Sequence, residues 1–307
     1  MSMRTLYIRG IVSVLQMPFD DSGNIDINSL DRLIEDAVDG GVDGFLAPVV
    51  ASEVAFLTVD ERKDVISHVA SKSKGRAAFI AGASDSDIDN CRKIAEWSIS
   101  SGADAVLVAV PFEMYKDPDE IPVFFENFAD LEIPLIIQDF EINGPGMDMP
   151  TILRLKEMLP NLAGLKIETA PAGPKYTAVR EEFGDNFFIA GGWAVPQFIE
   201  ALDRGVDAMI PESSMVRIYK HVQKLYDAER REDATVLFRK MLPILAFTNQ
   251  ELANSVAFFK RLLVKKGIFA NSNMRMSPPW WDEYSERISH ELIELYLGLE
   301  EDVSKSL

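Results

Sequence analysis

Three joins of one type recur along the chain: Gly41-Val42-Asp43-Gly44, Gly102-Ala103-Asp104-Ala105 and Gly205-Val206-Asp207-Ala208. Each follows a stretch of helical periodicity and leads into a short apolar run. Glycine suits the left-handed position just past a helix end, where a Cβ is strained, so each join reads as a helix stop followed by a strand. Before the first, Leu30, Leu33, Ile34, Ala37 and Val38 stand at i, i+3, i+4, i+7 and i+8, the apolar face of one helix. Thr58-Val59-Asp60-Glu61 opens the next helix as a capping box, its threonine hydroxyl placed to accept the Glu61 N–H.

Extended along the chain, this alternation predicts strands near 10–18, 44–50, 77–82, 105–110, 134–139, 162–168, 187–192 and 208–213. Helices are predicted near 28–40, 59–73, 86–101, 119–130, 150–158, 174–183, 195–204 and 215–230. Several strands, such as 105–110, are apolar throughout, as expected when both faces are covered. Eight strand–helix units in about 230 residues predict an α/β fold, a closed (β/α)8 TIM barrel. The rival, an open doubly wound sheet binding a dinucleotide, needs Gly-x-Gly-x-x-Gly after its first strand, and that motif is missing there. Past residue 230 strand signals stop, and 234–248, 250–266 and 288–299 read as helices. The expected organisation is therefore a catalytic barrel over 1–230 and a C-terminal helical extension over 231–307, packed on the barrel or a neighbouring subunit. Trp280 and Trp281 in that extension read equally as an interface anchor or as filler beneath the last helix.

Composition narrows the function classes without naming a reaction. Against 31 Lys and Arg stand 49 Asp and Glu, a net charge of −18, which repels phosphate backbones and argues against nucleic-acid binding. A single cysteine, Cys91, cannot form an internal disulfide and fits a reducing compartment. No apolar run approaches the roughly 18 residues of a membrane span, and residues 1–10 lack the apolar core of a signal peptide. The expectation is a soluble cytoplasmic protein.

Barrel enzymes keep their chemistry at the C-terminal ends of the strands. The sixth strand is the most informative. In Leu162-Ala163-Gly164-Leu165-Lys166-Ile167-Glu168, the period of two puts Gly164, Lys166 and Glu168 on one face and the apolar residues on the other. Lys166 then points into the barrel, where burial drives an ammonium toward the neutral amine that attacks carbonyls. Pairing with Glu168 or Asp139 for structural reasons is the competing explanation.

The Gly164-Leu165-Lys166 strand, the opening 10–19, the stretch 44–58, the 205–210 join and Arg275-Met276-Ser277-Pro278 together resemble the dihydrodipicolinate synthase/N-acetylneuraminate lyase family across nearly the whole chain. The resemblance implies a barrel and a class I aldolase-type lyase or dehydratase. Its lysine would form a Schiff base with a 2-oxo acid, often pyruvate, without metal or other cofactor. It also implies a homo-oligomer, a dimer or tetramer.

Departures from the family pattern are as informative. Where the family reads Gly-Thr-Thr-Gly-Glu, this chain has Val49-Val50-Ala51-Ser52-Glu53, which leaves the Ser52 hydroxyl and the Ala51 and Ser52 amides to bind a carboxylate. Gln138 stands at the position of the family's proton-shuttling tyrosine, and glutamine does not titrate near neutral pH. The downstream arginine that binds a second carboxylate in some members is absent from 141–146. These losses argue against dihydrodipicolinate synthase itself. Lys166, Gln138 and Glu212 are the expected catalytic residues, with Asp139, Glu168, Glu53 and Tyr115 as further sources of a proton. Ala51, Ser52, Asp139, Glu168, Gly191, Ile210 and Tyr115 are the expected substrate contacts. The expected function is a Schiff-base lyase acting on a 2-oxo acid. A family member altered to bind a small molecule or regulate a partner, and a dehydratase or hydratase of a hydroxylated 2-oxo acid, stand beside it.

Other constellations carry less. His68, His221 and His290 are scattered and lie in predicted helices, and no metal-ligand spacing of His or Cys exists. Cys91 reads as buried filler. Gly191-Gly192-Trp193 reads as a tight turn walling the pocket, with a phosphate cradle as the bolder alternative.

Overall fold

The computed structural model describes residues 6–141, 143–193 and 196–305. Its eight strands are β1 (Gly10–Val14), β2 (Gly44–Ala47), β3 (Ala78–Gly82), β4 (Ala105–Ala109), β5 (Leu135–Glu141), β6 (Leu162–Thr169), β7 (Phe188–Gly191) and β8 (Ala208–Met209). They pair in parallel in sequence order, and β8 closes on β1 through Gly10↔Ala208 and Ile11↔Met209. Helices α1 (Ile27–Asp39), α2 (Val59–Ser73), α3 (Ile88–Ser101), α4 (Glu120–Glu126), α5 (Met149–Met158), α6 (Ala172–Phe183), α7 (Phe198–Asp203) and α8 (Val216–Asp227) follow the strands in turn. This is the expected (β/α)8 barrel.

The local signals act as the sequence suggests. Gly41, Gly102 and Gly205 all take positive φ, at 85°, 89° and 71°. Thr58 and Glu61 form the reciprocal capping box, with the Glu61 N–H donating to Thr58 Oγ1 at 3.2 Å and the Thr58 N–H to Glu61 Oε2 at 2.8 Å. The main shortfall is in strand length. β8 stops at Met209 because Pro211 has no N–H to continue the ladder, and contact with β1 resumes only through Val14↔Glu212. α4 and α7 are likewise shorter than predicted.

The period of two sorts the core into two shells. Val12, Leu46, Ile80, Leu107, Ile136 and Phe188 fill the barrel interior. Alternate residues, including Ile11, Phe45, Ile137, Leu165 and Ile167, face outward into a second cluster shared with the helices. Beyond α8, the helices α9 (Arg231–Thr248), α10 (Leu252–Lys265) and α11 (Glu283–Lys305) pack into that outer cluster through residues such as Phe238, Phe258, Leu262 and Tyr296. The tryptophan pair divides. Trp281 packs against Phe247 with ring centroids 5.6 Å apart and lies beneath Arg261, whereas Trp280 is 85% exposed. Among the described residues, no helix is long and apolar enough to cross a membrane.

Candidate active site

A cavity of about 70 Å³ opens at the C-terminal end of the barrel, room for several waters or one small organic molecule. β5 contributes Gln138 and Phe140, and β6 contributes Lys166 and Glu168. The turns after β7 and β8 add Trp193, Ile210 and Glu212. Ala51 and Val50 lie at its edge, in a short 3-10 turn whose first internal bond is made by the Ser52 N–H to the Val49 carbonyl at 2.8 Å. The N–H groups of Val50 and Ala51 precede that bond and so have no partner within the turn.

Register brings the chemistry together. Gln138 and Lys166 are direct partners across β5 and β6, and Glu168 lies two residues further along the same face as Lys166. Lys166 Nζ is 2.9 Å from Glu168 Oε2, and Gln138 Nε2 donates to that same oxygen at 2.5 Å. The side chains of Lys166 and Glu168 are 5% and 4% exposed, so the pair is held almost entirely away from bulk solvent. Gly192 makes room for it: a Cβ there would lie 2.1 Å from Glu168 Oε1 and 2.7 Å from Lys166 Cε. Gly192→Ala should therefore displace the pair and lower kcat by ~100-fold, the usual cost of an ångström of misplacement. Steady-state kinetics beside a melting curve would check it, because Tm should move far less than kcat.

The remaining expected residues fall into two groups. Ala51, Ile210 and Glu212 line the cavity with the pair. Glu212 is buried, and it is already occupied. Gln16 Nε2 and the Ser214 N–H donate to its Oε2 at 2.7 and 2.6 Å, and the Met215 N–H donates to Oε1 at 3.1 Å. Burial pushes its carboxyl up, and those donors together with Lys266 oppose the shift.

Ser52, Asp139, Tyr115 and Gly191 do not line the cavity, and each has a physical reason. The Ser52 hydroxyl donates to the Leu15 carbonyl at 2.6 Å and accepts the Val49 N–H, so it holds the turn instead of facing a substrate. Asp139 follows Gln138 on the strand and so points out of the barrel. There it accepts from Lys175 at 2.5 Å, from the Tyr115 hydroxyl at 3.0 Å and from the Met147 N–H at 3.0 Å. Burial pushes the Asp139 carboxyl up, and Lys175 opposes it. Tyr115 accepts the Phe140 N–H at 2.8 Å, and burial raises its phenol far above the ordinary range. Gly191 is buried beneath the Tyr176 hydroxyl, which a Cβ there would approach to 2.7 Å. Glu53 also points away, into an ion pair with Lys260.

Periodicity had no means of finding the cavity's outer wall. Asn249, Leu252, Ser255 and Phe259 of the C-terminal extension close it, and Asn249 Nδ2 donates to the Trp193 carbonyl at 3.3 Å. Phe140 and Trp193 face each other with ring centroids 5.8 Å apart. Cys91 is buried, and burial pushes its thiol up to about 11, so it is a protonated packing residue at neutral pH. Among the described residues, no group of three His, Cys, Asp or Glu side chains is placed to hold a metal ion.

Similarity to known proteins extends along nearly the whole chain. The model of the dihydrodipicolinate synthetase family matches residues 7–288. An L-2-keto-3-deoxyarabonate dehydratase of Azospirillum brasilense is 25% identical over 282 residues, 88% of this chain and 89% of that protein. An N-acetylneuraminate lyase of Rhizobium meliloti is 28% identical over 160 residues, spanning 52% of this chain and 53% of that protein. Among solved structures, the sialic acid aldolase of Ruminococcus gnavus superposes with a TM-score of 0.88 at 17% identity, covering 97% of this chain and all of that one, which speaks to the fold.

Proposed function

Because the chain belongs to the dihydrodipicolinate synthetase family, we propose that it is a class I lyase that forms a Schiff base between Lys166 and a 2-oxo acid. The observation that carries the reading is the placement of Lys166 on the inner face of β6, in a small cavity at the catalytic end of the barrel. Its ion pair with Glu168 leaves that cavity open, which favours an enzyme over a barrel that only binds or regulates.

The amine attacks the C2 carbonyl, water leaves, and the iminium formed is an electron sink for the bond beyond C3. The oxo acid carboxylate is received by the N–H groups of Val50 and Ala51, which have no partner within their turn, beside the Ala51 and Ile210 walls. Gln138 orients the acid–base machinery without itself titrating. Glu212, fixed by its three N–H donors, presents an oriented carboxyl group to the cationic intermediate. Water exclusion comes from Phe140, Trp193 and Phe259. No further cofactor is needed for these steps.

Cleavage of a carbon–oxygen bond is the second reading. The keto-deoxy sugar acid dehydratase matches along almost its whole length, and a hydroxylated 2-oxo acid would suit a cavity with two carboxylates and no second cation among its lining residues. The absence of a second-carboxylate arginine argues against dihydrodipicolinate synthase itself. We assign the chain to the cytoplasm, take residues 1–230 as the catalytic barrel and 231–307 as its extension, and assign a homo-oligomer of two or four subunits.

Borohydride reduction in the presence of pyruvate or a hydroxylated 2-oxo acid tests the central step. The expected result is one covalent adduct, mapped by peptide mass spectrometry to Lys166. Protein of unchanged mass with every oxo acid tried would sink the proposal.

A further inference from the structure

We infer that Glu168 is the acid–base residue of this site, carrying on a carboxylate the proton transfers for which Gln138 has no titratable group. The inference rests on the Schiff-base reading above and names the group that moves its protons. Among the described residues that line the cavity, three side chains can ionise: Lys166, Glu168 and Glu212. Glu212 has both oxygens committed to backbone and side-chain N–H donors. Asp139 and Tyr115 bond each other outside the cavity, and Glu53 is held by Lys260. That leaves Glu168.

Its geometry suits the task. Gln138 and Lys166 both hold Oε2, which fixes the carboxylate beside the reacting amine. Oε1 takes no hydrogen bond among the described residues and lies over Gly192, where the missing side chain leaves it space. One oxygen is thus anchored and the other is free for a substrate proton. A glutamine beside a carboxylate is the expected complement of such a division, since its amide donates to the anchored oxygen and cannot compete for the proton.

The proton balance closes on this one group. The Glu168 carboxylate takes a proton from the Lys166 ammonium, and the amine nitrogen bonds to C2 while the carbonyl electron pair moves to oxygen. That oxygen accepts two protons in all, one returned by Glu168 and one from the nitrogen relayed through Glu168, and leaves as water to give the iminium. In carbon–carbon cleavage the carboxylate then removes the C4 hydroxyl proton, the C3–C4 bond breaks, and its electrons enter the iminium to give an enamine and an aldehyde. Glu168 returns that proton to C3, and hydrolysis releases the product and the lysine. In dehydration the same carboxylate takes a C3 proton, and the C4 hydroxyl departs with that proton as water.

The test measures two quantities on one sample with pyruvate: the borohydride-trapped adduct at Lys166, and exchange of the C3 hydrogens in D2O, which requires proton transfer through the enamine. In the wild type both should be present. Glu168→Gln should retain the adduct on long incubation while exchange per adduct falls by ~10²–10⁴-fold, the usual contribution of a positioned acid–base group. A residue serving only as counter-ion to Lys166 would change the amount of adduct and leave exchange per adduct alone, so wild-type exchange in E168Q overturns the assignment. Glu168→Asp decides the matter if E168Q does not fold. Its shortened carboxylate should slow exchange with the adduct intact, and unchanged exchange overturns the assignment there too. A wild-type protein that forms no adduct overturns the Schiff-base reading and this inference with it, whereas adduct with undiminished exchange in the variants overturns this inference alone.

Discussion

Lys166→Arg should abolish turnover and leave the fold in place. Arginine keeps a positive charge beside Glu168, so the pair that is 2.9 Å apart in the wild type is not left as a lone buried carboxylate. It cannot supply a neutral nitrogen to a carbonyl, because the guanidinium stays protonated at any working pH. The substitution therefore removes nucleophilicity and little else. Loss of a covalent nucleophile costs on the order of 10⁶ in kcat, so activity should fall to background. Lys166→Met is the harsher comparison, since it also strands Glu168, and its Tm should fall where that of K166R holds. Measuring both variants by circular dichroism melting and by turnover separates the two roles of this lysine. Retained turnover in K166R would mean that the chemistry lies elsewhere in the barrel.

How much of this was legible in the sequence follows from which signals are local. The barrel was legible because each of its units is punctuated by its own residues. Gly41, Gly102 and Gly205 stop helices, Thr58 starts one, and the apolar runs between them have nowhere else to go. The inner face of β6 was legible for the same reason, since the period of two needs no tertiary information. Applied to β5, that period places Gln138 inside and Asp139 outside, where Lys175 meets it. The fate of individual polar groups was not legible. Nothing in the order of residues announces that Ser52 turns back to the Leu15 carbonyl, or that the Glu212 carboxylate caps the turn at Ser214 and Met215. The outer wall was hidden most completely. Asn249, just past the end of α9, and Phe259 of α10 reach the cavity from more than 80 residues beyond Lys166, and the sequence around them reads only as two helices and their join.

Lys260→Met should destabilise the fold strongly, through a clasp that also bears on catalysis. Lys260 lies on α10 with no exposed side-chain surface. It is paired with Glu53, donates to the Asn273 carbonyl at 2.7 Å and sits 4.5 Å above the Phe19 ring. Burial pushes its ammonium down, and Glu53 opposes the shift. Glu53 in turn accepts the N–H groups of Arg275 and Met276 at 2.8 and 2.7 Å, and the Arg275 side chain holds the Glu61 carboxyl down at about 2. The clasp thus ties the turn after β2, which carries Val50 and Ala51 into the cavity, to the C-terminal extension. Methionine fills the space of the lysine stem but leaves Glu53 as an uncompensated buried charge. Breaking one partner of such a pair costs about 3–5 kcal/mol, which in a chain of this size lowers Tm by roughly 5–10 °C. The double variant Lys260→Met/Glu53→Gln should recover much of that loss, because a neutral glutamine can still accept the two N–H groups. In K260M the turn proposed to receive the oxo acid carboxylate is released from its anchor, so KM should rise more than kcat falls, and the double variant should restore KM in step with Tm. A K260M protein melting within a degree of wild type would show that the turn is held by its packing and not by this charge.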